Sequence, residues 1–179
     1  TGGAEHGQVV TVEIVQQPTR HTQPLGKVVE VLGEIDDPGM EIEIAVRKFD
    51  VPLDFSDATL KQAAQIPATV KKTELKGRID LRDLPFVTID GEDARDFDDA
   101  VFCLPIDLGT EKRKRPGWRL LVAIADVSHY VKPGEPLDDD ALERGTSVYF
   151  PRRVIPMLPE ALSNGICSLN PDVDRLVLV

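Results

Sequence analysis

Val87-Thr88-Ile89-Asp90-Gly91-Glu92-Asp93-Ala94-Arg95-Asp96-Phe97-Asp98-Asp99-Ala100-Val101-Phe102-Cys103-Leu104 is the stretch on which the reading of this chain turns. Its ten residues 90–99 hold six acids and one base, wedged between two apolar runs. An ordinary solvated charge run lies in a linker or along one helix face. This one interrupts what reads as core strand, with strands expected over 86–89 and 100–104. Carboxylates crowded at the end of a buried element repel one another and take up protons unless something positive sits among them. Oxygen donors suit hard divalent cations, so the expectation is a magnesium (Mg2+) site serving phosphate chemistry.

The spacing sharpens that expectation. Asp90 closes one strand, and Asp96, Asp98 and Asp99 follow just before the next. A tight turn between adjacent strands can bring all four carboxylates to one mouth. Two magnesium ions held ~3.5–4 Å apart by such a set clamp a scissile phosphate, one activating a water and the other steadying the leaving oxygen. No histidine lies near the acids, and this chemistry needs none. Three plainer readings stand beside it. A solvated acidic turn is one. A calcium loop fits poorly, because Ala94 takes the fifth position from Asp90 and an apolar residue stands where the closing glutamate belongs. A structural network with Arg95 accounts for only one carboxylate.

The chain has 179 residues, enough for one ordinary domain or a small domain and part of another. Hydrophobic content of 41% and charged content of 29% are those of a globular protein rather than a disordered one. Nothing resembles a signal peptide, and no apolar run approaches the ~20 residues that span a membrane. Cys103 and Cys167 lie in apolar surroundings without metal-ligand spacing and read as buried thiols of a cytosolic protein. The net charge of −10 argues at first against nucleic acid. However, residues 79–110 carry nine acids and two bases, whereas 111–119 carry a local charge of +4, so the acidity is concentrated where metal offsets it.

Residues 1–4 read as a loop or cut edge. Alternating Val10, Val12 and Ile14 predict a half-buried strand over 9–15; further strands are expected over 27–32 and 41–49, separated by a turn at 34–39. Three antiparallel strands suggest part of a small β-barrel. Ser56 or Asp57 can cap a helix over 58–65, inside a helical connector spanning 54–78. Beyond it come the strand at 119–125, a helix over 139–144 capped by Asp138 and stopped by Gly145, a strand at 148–150, and a strand then short helix over 155–164. The apolar finish Leu176-Val177-Leu178-Val179 reads as a cut through a longer chain.

With these residues laid out, the acidic stretch resembles the signature that opens the catalytic domain of the ribonuclease II (RNB) family. The resemblance continues through Leu81-Arg82-Asp83-Leu84-Pro85, Val122-Ala123-Ile124-Ala125-Asp126-Val127-Ser128, Arg144-Gly145-Thr146-Ser147-Val148-Tyr149-Phe150-Pro151 and Leu162-Ser163-Asn164-Gly165-Ile166-Cys167-Ser168-Leu169-Asn170-Pro171. It reaches back through Pro18-Thr19-Arg20 and Gly26-Lys27-Val28-Val29-Glu30-Val31-Leu32-Gly33.

The fold the resemblance implies is mixed α/β: a partial OB-type (cold-shock) β-barrel over 1–53, a linker over 54–78, and the N-terminal portion of an α+β RNB catalytic domain over 79–179. The activity it implies is processive 3′→5′ hydrolysis of RNA to nucleoside 5′-monophosphates with magnesium. Asp90, Asp96 and Asp99 match the family's metal-coordinating aspartates, Asp98 the aspartate needed for cleavage, and Tyr149 a tyrosine that holds the last nucleotide. Stacking on a base is worth ~1–3 kcal/mol and tolerates any sequence. The family's catalytic domain is longer than 79–179 and its later half carries further functional groups, so weak or absent turnover is expected of residues 1–179 alone. A catalytically inert RNA-binding or scaffold fragment is the alternative. The expected partner is single-stranded or 3′-overhang RNA, with no membrane, and the expected state is a cytoplasmic monomer. Residues 112–115 read as an exposed hairpin tip, Trp118 as core, Asp126 as a structural cap, and His129 as standing alone; Arg152 and Arg153 are better placed to meet RNA.

Overall fold

A computed structural model of the protein describes residues 2–179; Thr1, at the start of the expected N-terminal loop, lies outside the described residues. The chain divides after Leu53 into two compact units. In the first, β1 (Gln8–Gln16) and β2 (Leu25–Glu34) form an antiparallel hairpin running from Gln8 opposite Glu34 to Gln16 opposite Leu25. The third strand expected here is instead a helix, α1 (Met40–Lys48). Its alternation of Ile42, Ile44 and Val46 is real, but local charge overrides it. Glu41 and Glu43 occupy the first turn, and Arg47 and Lys48 the last, each complementing the helix dipole. Glu43 pairs with Arg47 one turn on, and Arg47 also meets Glu30 of β2 at 2.7 Å. Gly39 enters the helix at φ 87°, a conformation that costs a side-chain-bearing residue more. Met40 and Val46 are buried. The unit is therefore a hairpin with a helix, and the described residues close no barrel.

The second unit is built on a small helical core and a three-stranded sheet. Ser56 caps α2 (Asp57–Ala63) by accepting from the Thr59 amide, as the sequence predicts. α2 packs on α3 (Pro136–Arg144): the Thr59 hydroxyl donates to the Pro136 carbonyl at 2.7 Å, and the Leu137 amide donates to Gln62 at 3.0 Å. α3 starts one turn earlier than expected because Pro136, with its fixed φ, suits a first helical position; Gly145 ends it as predicted. Ala63, Leu137, Leu158, Leu162, Ile166 and Cys167 form the core beneath, the last four from the segment that carries a π-type turn at Ala161–Ile166.

β3 (Asp99–Asp107), β4 (Pro116–Ala125) and β7 (Val177–Leu178) form an antiparallel sheet with β4 central. Ala100 sits opposite Ala123, and both are buried. The same alternation turns Trp118, Leu120, Val122 and Ile124 outward, so Trp118 is 70% exposed rather than core. Cys103 shares that outward face and is exposed, whereas Cys167 is buried as expected. The strand expected over 86–89 reduces to a single antiparallel bridge between Val87 and Val101. β5 (Val148–Phe150) and β6 (Arg153–Ile155) make a separate short hairpin.

Asp126, 6% exposed, follows β4 and accepts from Arg78 at 2.6 Å and from the Ser128 hydroxyl at 2.8 Å. Burial pushes its carboxyl upward, but Arg78 and Ser128 outweigh that and hold it below the usual range. His129 is not alone, since it meets Glu74 at 2.9 Å. A carboxyl lowered in the folded state stabilises above its unfolded pKa of about 3.9 and loses that contribution as pH falls through the folded value. Asp126→Asn therefore lowers urea-unfolding stability at pH 6 by about 1–3 kcal/mol. The gap to the unsubstituted chain narrows below about pH 4; a gap equal at pH 6 and pH 3 would refute the ion pair's contribution.

Candidate active site in the acidic loop

The bridge between Val87 and Val101 closes residues 88–98 into a loop on the edge of β3, with paired amide–carbonyl bonds of 3.0 and 2.8 Å. The closure returns the chain to within one strand's width of its departure, which is how acids at 90 and at 96–99 come to share a mouth. Within the loop, the Ala94 amide donates to the Gly91 carbonyl at 3.1 Å, turning the chain at Glu92 and Asp93. The loop ends where the Asp98 carbonyl accepts from the Ala125 amide at 2.9 Å, and Asp99 begins β3 opposite Ile124. Asp90, Asp98 and Asp99 are exposed; Asp96 is half-buried.

Asp98 records the crowding. Its carboxyl is pushed above the usual carboxylate range, first by desolvation among the surrounding protein atoms and then by repulsion from Asp96, Asp99 and Asp90. The Arg95 guanidinium forms no ion pair among the described residues, so it does not offset these charges. Tyr149, on β5, donates its hydroxyl to Asp96 Oδ2 at 2.5 Å. That bond first, and burial second, raise the phenol's pKa. Tyr149 as a whole is 63% exposed.

The structure thus brings the five site residues expected from the sequence into one neighbourhood. It does not bring them to a closed ligand sphere, because no three His, Cys, Asp or Glu side chains among the described residues converge to hold an ion. The donor chemistry nevertheless fits a hard divalent cation. All four groups are carboxylates, and the mutual repulsion seen at Asp98 is what such a cation relieves. Residues 112–115 lie in the exposed turn joining β3 to β4, as expected, with Lys114 on Asp107 at 3.0 Å. Arg152 lies in the β5–β6 turn and Arg153 opens β6, both a few residues after Tyr149.

Sequence reasoning gave no role to Ser168, which is fully buried behind the loop. Its hydroxyl donates to the Arg95 carbonyl at 2.7 Å and accepts from the Phe97 amide at 3.0 Å. The available signal was a lone hydroxyl in the apolar run Ile166-Cys167-Ser168-Leu169, which had to find polar partners somewhere.

Comparison with known proteins adds an independent line. The RNB domain model matches residues 78–179 and the Cold shock domain model matches residues 1–56. Ribonuclease R of Escherichia coli is 58% identical over 99% of this chain and 21% of the relative's length. Ribonuclease R of Thermotoga maritima is 49% identical over 98% of this chain and 24% of its own length. The chain therefore spans about a fifth to a quarter of these two relatives. Among solved structures, Mycoplasma genitalium RNase R in complex with double-stranded RNA matches with TM-score 0.86 at 32% identity, covering 99% of this chain and 30% of that one. The same protein in complex with ribose-methylated single-stranded RNA gives 0.85 at 31% identity, covering 99% and 26%. Yeast Ssd1, a pseudonuclease, shares the fold with TM-score 0.64 at 20% identity, covering 92% of this chain and 20% of that one.

The electrostatics of the loop make a prediction that needs no RNA. Asp98→Asn removes one of four mutually repelling charges, so in chelated, low-salt buffer it raises the thermal midpoint by roughly 1–2 °C. The gain shrinks as salt screens the acids. A midpoint that falls, or that ignores salt, would contradict the repulsion described here.

Proposed function

The chain belongs to the RNB-domain family, and from that premise we propose that it carries the acidic site of a cytoplasmic, magnesium-dependent exoribonuclease. The enzyme degrades RNA processively from the 3′ end, releasing nucleoside 5′-monophosphates. The observation that carries this reading is the loop in which Asp98 is flanked by Asp90, Asp96 and Asp99, with Tyr149 hydrogen-bonded to one of them.

Asp90, Asp96 and Asp99 supply carboxylate oxygens to the cation. A divalent cation bound there provides Lewis-acid stabilisation of the charge developing on a scissile phosphate. Asp98, whose proton affinity is raised by desolvation and then by its acidic neighbours, accepts a hydrogen bond from the attacking water and aims it. Tyr149 offers an exposed ring face on which the terminal base stacks, close to the acids because its hydroxyl already reaches Asp96. Stacking reads no sequence, which suits removal of any nucleotide in turn. The substrate is single-stranded or 3′-overhang RNA held by a monomer. Relatives named ribonuclease R, and neighbours solved with RNA, support this assignment.

A second reading, an RNA-binding fragment that holds metal without turnover, draws on one observation. The fold is shared with a pseudonuclease, so the fold alone does not imply cleavage. Turnover is decided by assaying nucleotide release from 3′-labelled single-stranded RNA, using this chain joined to the C-terminal remainder of a ribonuclease R relative. The proposal expects 5′-monophosphates with magnesium, a loss on the order of a hundredfold or more in Asp98→Asn, and RNA affinity unchanged within about threefold. Tyr149→Ala weakens 3′-end retention by about 1–3 kcal/mol. Salt-sensitive RNA binding without nucleotide release would establish the inert reading instead.

A further inference from the structure

Residues 95–97 have no strand partner, yet the structure holds them from one side by a single downstream segment. The Ser168 hydroxyl bonds the Arg95 carbonyl at 2.7 Å and the Phe97 amide at 3.0 Å, and the Leu169 amide donates to the Phe97 carbonyl at 2.9 Å. The two hydroxyl bonds bracket Asp96. Ser168 is in turn held from behind. Its amide donates to the Gly165 carbonyl at 3.1 Å, and its carbonyl accepts from Arg175 Nε at 2.7 Å and from the Asn170 amide at 2.8 Å. Its neighbours Ile166 and Cys167 belong to the core and are 1% and 5% exposed.

We propose that Ser168 is a positioning residue of the acidic site. It locks the backbone on both sides of Asp96 to the hydrophobic core, and so sets where the Asp96 and Asp98 carboxylates stand. The proposal rests on the reading that these acids serve a divalent cation, and it adds a residue 70 positions from Asp98 that touches neither cation nor RNA. The chemistry is specific to a hydroxyl, which donates and accepts at once in a small volume; alanine does neither. The need for a lock follows from charge. Asp98 is repelled by Asp96, Asp99 and Asp90, so a loop free to move relaxes by spreading its acids. A spread loop binds a cation only after being gathered again, and affinity falls by the fraction of chains not already gathered.

The test compares the 179-residue chain with its Ser168→Ala and Ile166→Val variants, the second trimming the same core without reaching the loop. Magnesium affinity is measured by calorimetric titration with the metal alone, and backbone opening by amide hydrogen exchange in chelated buffer. The expected result for Ser168→Ala is about a tenfold weaker magnesium affinity and at least tenfold faster exchange at Phe97, with Ala100 and Ala123 unchanged. Ile166→Val, at a similar loss of thermal midpoint, leaves both readouts within about twofold. Unchanged exchange at Phe97, or equal weakening by both variants, would overturn the proposal and make Ser168 an ordinary core residue. If the unsubstituted chain takes up no magnesium while Ser168→Ala still frees Phe97, the lock stands and the cation reading falls.

Discussion

Like-charge repulsion among four carboxylates governs this molecule's second unit. Among the described residues Asp90, Asp96, Asp98 and Asp99 form no ion pair, and on top of desolvation Asp96, Asp99 and Asp90 raise the cost of ionising Asp98. Repelling carboxylates do not hold one another in place, so the loop's backbone has to be tethered from outside. The tethers come from three directions: the Val87–Val101 bridge at the loop's base, the Ala125 amide on the Asp98 carbonyl, and the Ser168–Leu169 segment on residues 95–97. Each tether leads into a part of the fold that is stable for ordinary hydrophobic reasons. The loop's strain is carried by the rest of the unit.

This dependence explains why the site draws on distant parts of the chain. The acids come from the entry to β3, Tyr149 from the β5–β6 hairpin, and the backbone lock from the segment after the π-type turn. The core of Leu137, Leu158, Leu162 and Ile166 stands behind the last of these, and α2 closes on α3 beside it. A phosphodiesterase of the kind proposed uses the stored repulsion. Acids gathered without compensation form a better cation trap than acids already neutralised by arginine.

Much of the site was legible because its signal is local. Six acids between two apolar runs stand out in any reading, and a resemblance to the RNB family gave Tyr149 a role that its sequence position alone did not. The caps at Ser56 and Gly145 were visible for the same reason, since each depends on neighbours a few residues apart, and the β3–β4 pair was visible because two apolar strands flank one charged turn. The misses came where two local signals competed or where the signal was remote. Residues 41–49 alternate like a strand, but their acid-first, base-last order and the Glu43–Arg47 spacing favour the helix that forms. Trp118 and Cys103 were placed inside on hydrophobicity alone, although the register that buries Ala100 and Ala123 turns both outward. The partnership of Ser168 with Arg95 and Phe97 spans more than seventy residues, and no periodicity encodes it.

Direct sight of a cation among the acids is the most telling measurement. Crystals of the chain soaked in manganese, examined by anomalous diffraction, are predicted to show one or two peaks lying between Asp90, Asp96, Asp98 and Asp99. If both sites fill, the two ions stand ~3.5–4 Å apart. Peaks confined to other acidic surface groups, with the four aspartates splayed and bare at the same manganese concentration, would contradict the account.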